Sequence, residues 1–108
     1  MAAAEGGTVT VFIEYRIDSS HRESFLHHVG AILEETAQIA AVKEHEIMEG
    51  TDQPGLFVEV IRVGDSDSAQ RILRYRREPQ GGVLRKLNGW ISGKGIQGWA
   101  FCRINGSL

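Results

Sequence analysis

The stretch Leu56–Val63 carries apolar side chains at nearly every position, and this feature most constrains how the chain can fold. It is rich in β-branched and aromatic residues, follows a turn-forming run at residues 51–55, and precedes a helix-start signal at residues 64–66. Apolar residues on both alternating faces are typical of a strand that is covered on both sides. We therefore expect a central strand between two buried surfaces, in which the charge of Glu59 is out of place.

Apolar periodicity predicts the other elements. Strict alternation indicates strands at residues 8–17 and 96–105, and a more polar run at residues 42–50 is typical of a sheet edge. Helical spacing predicts a helix to residue 40 that opens with a capping box at Ser20 and Glu23. Two shorter helices follow: one is capped by Asp65 or Ser66 and ends at Pro79, and the other ends at a Gly93 cap.

The resulting order, β-α-β-β-α-β with the second helix broken in two, predicts an α+β, ferredoxin-like fold. Right-handed crossovers place strands 1 and 3 in the middle of a four-stranded antiparallel sheet. At 108 residues the chain fits one domain, residues 8–105, after a flexible leader at residues 1–7. Since the leader lacks signal-peptide features and no apolar run approaches the ~20 residues of a membrane span, we expect a cytoplasmic protein without a membrane partner.

Charge is distributed unevenly along the chain. Residues 1–67 contain 4 basic and 13 acidic residues, a balance of −9, whereas residues 68–108 contain 8 and 1, a balance of +7. The basic residues of the second helical region are Arg71, Arg74, Arg76, Arg77, Arg85 and Lys86. Such a cluster could bind phosphate or nucleic acid, but the whole chain is acidic, so we favour a helix face neutralised by the acidic half and expect no nucleic-acid partner.

The two faces of the predicted sheet differ in composition. One holds the aliphatic set that should meet the helices: Val9, Val11, Ile13, Ile17, Leu56, Val58, Val60, Ile96, Ala100 and Ile104. The other holds Phe12, Phe57, Ile61, Val63, Trp99 and Phe101, with Glu14, Arg16, Glu59 and Arg103 among them. So much aromatic area is improbable on a free surface, so we expect a homodimer through the face bearing Phe12, Phe57, Ile61, Trp99 and Phe101. Glu59 is then better explained as an interface ion pair with Arg16 or Arg103 than as a catalytic carboxylate.

The β-α-β-β-α-β order, the turn at residues 50–55 leading into Leu56–Val58, and the helix start at Asp65 and Ser66 resemble the antibiotic-biosynthesis-monooxygenase-like members of the dimeric α+β-barrel superfamily. The resemblance covers about residues 8–105 and implies a homodimeric α/β barrel. Two departures stand out. Ile61 and Val63 occupy places where many members carry Glu and Trp. Tyr15 stands at the Asn position of the haem-degrading branch, and residues 66–92 contain no His, which argues against haem degradation.

The resemblance implies a ligand pocket between helices and sheet, and a monooxygenase that needs no cofactor, acting on a small aromatic or polyketide-like compound. The catalytic candidates are Tyr15, Tyr75 and Arg74, and the substrate-binding candidates are Trp90, Gly98, Ala100 and Cys102. Small residues on strand 4 leave room for a ligand in mostly apolar walls. They equally allow close helix packing, with Tyr15 simply a buried tyrosine. The alternative function is a non-catalytic module that binds a small ligand or dimerises.

The remaining reactive side chains give weaker signals. None of the four histidines has convincing metal-ligand spacing with a third donor, so we predict no metal. His45 on the predicted edge strand could act as a general base near neutral pH, although an ordinary edge-strand histidine explains it more simply. Cys102 is the single cysteine, so it cannot form an internal disulfide, and we expect it to be buried and inert.

Overall fold

The computed structural model describes residues 8–104. The strands are β1 (Val9–Ile17), β2 (Val42–Glu49), β3 (Leu56–Val63) and β4 (Ile91–Cys102), and the helices are α1 (Arg22–His27), α2 (Val29–Ile39), α3 (Ser66–Arg77) and α4 (Gly82–Trp90). The sheet is antiparallel in the order β2-β3-β1-β4. The predicted ferredoxin-like α+β fold, with strands 1 and 3 central, is confirmed. None of these helices is long and apolar enough to cross a membrane. The predicted leader, residues 1–7, and residue 105 lie outside the described residues.

The first helical region begins differently from the prediction. Asp18, two residues before the predicted cap, accepts the backbone N–H of Ser20 at 3.1 Å and opens a 3-10 turn at Ser19–His21. Because a carboxylate satisfies an orphan N–H as well as a serine hydroxyl does, the sequence pattern did not separate these two caps. The helix is then divided at His28 (φ −106°, ψ 7°) into α1 and α2.

β4 begins at Ile91, five residues earlier than predicted. Gly93 does not cap a helix, because α4 ends at Trp90 and Ile91 is already extended. Gly93 and Gly95 instead adopt positive φ in a bulge, where the pairing partner of β1 shifts from Gln97, opposite Glu14, to Ser92, opposite Arg16. β4 also ends sooner than expected, so Ile104 is exposed instead of packing beneath the helices.

The predicted faces of β3 are inverted. Val63 pairs with Val9, Glu59 with Ile13 and Phe57 with Tyr15, so these β3 side chains share the helix-covered face of β1. Phe57, Glu59, Ile61 and Val63 are all buried. The prediction that Phe57 and Ile61 meet a partner subunit is therefore wrong. Since both alternating sets of β3 are apolar, its pattern could not choose a face, and a shift of one residue moves every side chain to the opposite side.

The helices cover one face of the sheet and enclose the core. Its buried apolar members are Val9, Val11, Ile13, Tyr15, Ile17, Phe25, Ile32, Ala40, Phe57, Ile61, Val63, Ala69, Ile72, Leu73, Val83, Leu84 and Leu87. The opposite face, called here the open face, carries Phe12, Leu56, Val58, Trp99 and Phe101. Trp99 and Phe101 are 45% and 55% exposed, and the rings of Phe12 and Phe101 meet edge to face at 5.6 Å. Three of the five residues predicted for a partner surface, Phe12, Trp99 and Phe101, thus lie on the open face.

Candidate functional site

The carboxylate of Glu59 is the centre of a buried polar cluster formed with Tyr15, His45 and Arg76. The Tyr15 hydroxyl donates to Glu59 Oε2 at 2.5 Å, and His45 Nε2 lies 2.7 Å from Oε1. Arg76 donates to both oxygens, with Nη1 at 3.0 Å from Oε1 and Nη2 on Oε2. Each carboxylate oxygen therefore accepts two hydrogen bonds, and the planar guanidinium holds it in a fixed orientation. The prediction of an interface ion pair with Arg16 or Arg103 is wrong, because Glu59 faces the helices.

Strand register brings three members of the cluster together. Ile13 and Ile47 flank Glu59 on the neighbouring strands β1 and β2. Tyr15 and His45 lie two residues from those positions, so the period of two puts both side chains on the face of Glu59. The fourth member, Arg76, comes from α3 above the sheet.

A buried threonine supports Arg76 from a second helix. Arg76 Nη1 lies 3.4 Å from the hydroxyl oxygen of Thr36 on α2. That hydroxyl in turn donates to the carbonyl of Ile32 at 2.8 Å. The cluster therefore joins the edge strand, both central strands and two helices.

Burial and charge shift the ionisation of the cluster strongly. Burial alone would raise the pKa of Glu59, but the charge of Arg76 and the hydrogen bonds from His45, Arg76 and Tyr15 outweigh it and hold the pKa at about 2. Burial also works against the charged form of Arg76, yet Glu59 keeps the pKa of Arg76 above its ordinary value. Burial, followed by the negative charge of Glu59, raises the pKa of Tyr15. Tyr15 is therefore a neutral donor at neutral pH, and Glu59 and Arg76 form an ion pair inside the core.

The carboxylate of Glu59 fixes the orientation of the His45 ring. An ionised carboxylate only accepts hydrogen bonds, so the proton shared at 2.7 Å belongs to Nε2 of the imidazole. The other ring nitrogen, Nδ1, is buried without a hydrogen-bond partner among the described residues. A buried acceptor left unpaired costs about 1–3 kcal/mol, so this nitrogen is an expensive feature of the fold.

The predicted catalytic residues lie in different environments. Tyr15 is buried, with its ring near Phe25 and Phe57 at centroid distances of 5.9 and 6.4 Å. Tyr75 is half-buried against the core, and Arg74 is exposed on the outer side of α3. Of these three predicted residues, the hydrogen bonds within residues 8–104 bring only Tyr15 into the polar cluster.

The predicted substrate-binding residues are also dispersed. The half-buried ring of Trp90 lies 5.3 Å from His28 and 6.4 Å from His21. Gly98 and Ala100 lie opposite Ile13 and Val11 on the helix-covered side, as expected from the strand pattern. A Cβ on Gly98 would come within 2.6 Å of Leu73 Cδ2, so the Leu73 side chain occupies the space beside this glycine.

Cys102, predicted to be buried, is exposed. It lies opposite Val9 as the last residue of β4, where the strand leaves the covered part of the sheet. Among residues 8–104 no three His, Cys, Asp or Glu side chains lie close enough together to hold a metal ion.

A cavity of about 310 Å³ opens at the bulge of β4, and Tyr15 is the member of the polar cluster that contributes to its lining. Its lining is Glu14, Tyr15, Arg16, Leu56, Ser92, Gly93, Lys94, Gly95 and Gln97. The mixture of charged and small residues differs from the apolar pocket that the sequence predicted between helices and sheet.

Sequence reasoning connected neither Arg76 nor His45 to Glu59. Arg76 falls on the apolar stripe of α3 together with Ala69, Ile72 and Leu73, and all four are buried. A charged residue on an apolar stripe and a lone glutamate in an apolar strand are complementary signals, since buried charges are found in pairs. Each position was visible in the sequence, but pairing them required the correct face of β3.

Comparison with known proteins relates the fold to solved structures. No protein-family model and no curated protein matches the chain. A proposed antibiotic biosynthesis monooxygenase from Nitrosomonas europaea superposes with a TM-score of 0.70 at 13% identity, covering 93% of each chain. One from Bordetella bronchiseptica gives a TM-score of 0.72 at 12% identity, covering 91% of this chain and 98% of the other. SnoaB, a cofactor-independent oxygenase from Streptomyces nogalater, gives 0.64 at 16% identity, covering 87% and 90%.

At these identities the likeness concerns the backbone and its topology. It extends over nearly the whole length of each chain, and all three matches share the same architecture. The chain therefore has the ferredoxin-like α+β fold of the antibiotic biosynthesis monooxygenases, whose members are its structural neighbours.

Proposed function

We propose that this protein is a cofactor-independent monooxygenase acting on a small aromatic or polyketide-like compound. The observation that supports it most is the buried polar cluster around Glu59, beneath the helices on a central strand. Ionised groups are costly inside a protein, and groups whose pKa is strongly shifted concentrate at functional sites. The fold shared with SnoaB agrees with this reaction class.

The proposed reaction needs an electron-rich substrate and molecular oxygen. An anthrone is a suitable case, because its CH₂ group between two aromatic rings loses a proton to give a stabilised carbanion. That anion gives up electrons to O₂ as a C–O bond forms, the resulting peroxide anion takes up the proton to give a hydroperoxide, and the hydroperoxide loses water. The net change is R₂CH₂ + O₂ → R₂C=O + H₂O, in which the carbon is oxidised and one oxygen atom is reduced to water.

The residues of the helix–sheet layer have distinct roles in this proposal. Arg76 and the neutral Tyr15 hydroxyl hold Glu59 in place, while Tyr75 and Trp90 supply half-buried aromatic surface for a flat substrate. Arg74 is an exposed cation on the same helix as Arg76. In this proposal it contacts an anionic group of the substrate at the edge of the helix–sheet layer. Gly98 and Ala100 lie on the neighbouring strand β4, where small side chains limit steric conflict.

The proposal also includes a homodimer through the open face. Trp99 and Phe101 expose roughly half of their surface, and Phe12, Leu56 and Val58 extend the same apolar area. Pairing two such faces removes the aromatic surface from water, which is the main driving force of protein association. The two sheets would then enclose an interior with helices outside.

Oxygen uptake with a panel of anthrones and quinols tests the enzyme proposal. We expect the wild-type protein to consume oxygen and form quinone, and Glu59→Gln to reduce the rate by about 100-fold through loss of the charge that organises the cluster. Tyr15→Phe should reduce it less, since it removes one of four hydrogen bonds. Glu23→Gln, at an exposed glutamate of α1, is the matched control and should leave the rate unchanged. A folded wild-type protein that consumes no oxygen with any compound would contradict the proposal.

A specific observation favours the alternative, a non-catalytic binding or dimerisation module. Phe25 and Phe57 surround the Tyr15 ring, and Leu73 occupies the space beside Gly98, so the helix–sheet layer is filled at these points. In that case the same compounds would raise the melting temperature without being consumed, or would have no effect on it. Measuring thermal stability and oxygen uptake on the same samples separates the two functions.

A further inference from the structure

We propose that His45 is the catalytic base that removes the proton from the substrate, with Nδ1 as the accepting atom and Glu59 as its positioning residue. This inference rests on the proposed function and assigns its proton-transfer step to one atom. The substrate class is correspondingly narrow: an aromatic compound with an acidic C–H whose conjugate base is electron-rich, such as an anthrone.

The geometry of the dyad carries the assignment. His45 Nε2 donates to Glu59 Oε1 at 2.7 Å, which leaves the lone pair of the ring on Nδ1. The His45 side chain is only 7% exposed, and Nδ1 finds no hydrogen-bond partner within residues 8–104. A base oriented by a buried carboxylate, with its second nitrogen free, is the arrangement by which imidazole accepts protons in many enzymes.

Glu59 is itself fixed, so the imidazole cannot turn away. Its Oε2 accepts from Tyr15 and from Arg76, and its Oε1 accepts from Arg76 as well as from His45. The charged and titratable groups facing the dyad are therefore Arg76 from α3 and Tyr15 from β1. When Nδ1 takes up a proton, the imidazolium lies beside the ionised carboxylate of Glu59, which Arg76 also contacts.

The other histidines lack these features. His27 and His28 each direct Nδ1 to a backbone carbonyl of their own helix, Glu23 at 2.9 Å and Ser24 at 2.7 Å. His21 lies half-buried beside Trp90 with no carboxylate hydrogen bond among the described contacts. β2, which carries His45, is an edge strand of the sheet.

The proton is accounted for at each step. Nδ1 takes it from the substrate C–H, and the bonding electrons remain on the substrate carbon. Oxygen accepts electrons from that carbanion as the C–O bond forms, giving a peroxide anion. The His45 imidazolium returns the proton to this anion, and loss of water from the hydroperoxide leaves the ketone and a neutral imidazole.

His45→Gln is the sharpest test, because the amide nitrogen of glutamine can still donate to Glu59 where Nε2 did, but no base remains. Two readouts are compared: oxygen uptake in air, and absorbance of the anthrone anion formed on the protein without oxygen. We expect His45→Gln to lose about 100-fold or more in both rates. The matched control is His27→Gln, at an exposed histidine, and it should retain both rates.

The outcomes separate this assignment from the proposed function. If the wild-type protein forms the anion but takes up no oxygen, and His45→Gln forms none, the base assignment holds and the oxygenase proposal is wrong. If His45→Gln matches the wild type in both readouts, His45 is not the base, whatever the reaction. If the wild type shows neither signal, both proposals are wrong.

A measurement on the wild-type protein guards against a variant that does not fold. ¹⁵N NMR of the imidazole should show a proton on Nε2 alone in the free protein, and a second proton on Nδ1 when an anthrone is added without oxygen. A free protein whose His45 carries its proton on Nδ1, or an unchanged Nδ1 signal with the anthrone anion bound, would overturn the assignment.

Discussion

Ile13 on β1 lies directly opposite Glu59 on β3, and this pairing puts a carboxylate in the middle of an apolar core. Glu59 and the Arg76 that neutralises it are both essentially inaccessible to solvent. A buried ion pair of this kind adds little net stability compared with apolar residues of similar shape, but losing one partner leaves an uncompensated charge. The interior of the protein therefore depends on Glu59 and Arg76 being present together.

Arg76→Met should destabilise the protein by about 3–5 kcal/mol, because Glu59 would remain ionised or become protonated in an apolar site. Adding Glu59→Leu to that variant should recover part of the loss, so the two effects are not additive. Urea unfolding of the single and double variants measures this coupling. The exposed pair Arg62–Glu44, with a 2.6 Å contact, is the control, and Arg62→Met should cost less than about 1 kcal/mol. Additive losses in the buried pair would contradict the prediction.

Stability should fall as the solution becomes acidic. The pKa of Glu59 is about 2 in the folded protein against an ordinary value of 4.5, so folding favours its ionised form. Glu59 therefore contributes about 3 kcal/mol to the free energy of unfolding. This contribution is fully present above pH 4.5 and is lost as the pH falls toward 2. The pKa values of Asp18, Glu49 and Asp65 are lowered as well, by the hydrogen bonds that these carboxylates accept.

Comparing the wild type with Glu59→Gln isolates the part of the pH dependence of stability that comes from the buried carboxylate. Unfolding free energies measured between pH 5 and pH 2.5 should decline more steeply in the wild type than in this variant, since the other carboxylates are common to both. Equal slopes would show that Glu59 is not the ionised centre of the cluster.

Trp99→Lys should convert the proposed homodimer to a monomer, because it puts a hydrated charge into the most aromatic part of the open face. Light scattering at micromolar concentration measures the mass. Leu26→Lys is a suitable control: Leu26 is also a large exposed apolar residue, at 44%, but it lies on α1, away from the sheet. A monomeric wild type, or a dimer that both variants preserve, would refute the open-face interface.

Gly82→Ala should destabilise the start of α4 by about 1–3 kcal/mol. Gly82 has a φ of +67°, and a Cβ there would collide with the carboxylate of Glu35. Glu35 is fixed in that position because it accepts the N–H groups of Val83 at 2.8 Å and Leu84 at 3.0 Å, which caps α4 from α2.

Gly89→Ala in the same helix is the matched comparison. A Cβ at Gly89 meets nothing within 4 Å, so alanine should raise stability by roughly 0.5 kcal/mol through its higher helix propensity. Thermal unfolding of the two variants should therefore move in opposite directions from the wild type.

Local patterns were sufficient for most of the architecture. The bounds of β3 agree with the structure at both ends, and Asp65 caps α3 as its position before the helix indicated, accepting the Ser68 N–H at 2.7 Å. These features depend on residues close together in the chain, whose chemistry the sequence displays directly. The start of β4 was misplaced because the Gly93 and Gly95 positions suit a helix end and a bulge equally well.

The candidate site was less accessible to sequence reasoning. Tyr15 was selected on its own pattern and belongs to the polar cluster, whereas Arg76 was treated as part of a charged helix face. The hydrogen bonds of Glu59 join residues that are 14, 17 and 44 positions apart in the chain. The periodicity within a single helix or strand carries no information about contacts between residues so far apart in the chain.

By itself, the sequence determined the order of elements, the fold class, the helix-covered face of β1 and an unusual charge in a strand. Only the tertiary structure decided which face of β3 meets the helices, because both of its alternating sets are apolar and the choice depends on pairing with β1. That single choice moved Glu59 from a supposed subunit interface into the core. There it meets Arg76, and together they hold His45 with one nitrogen free.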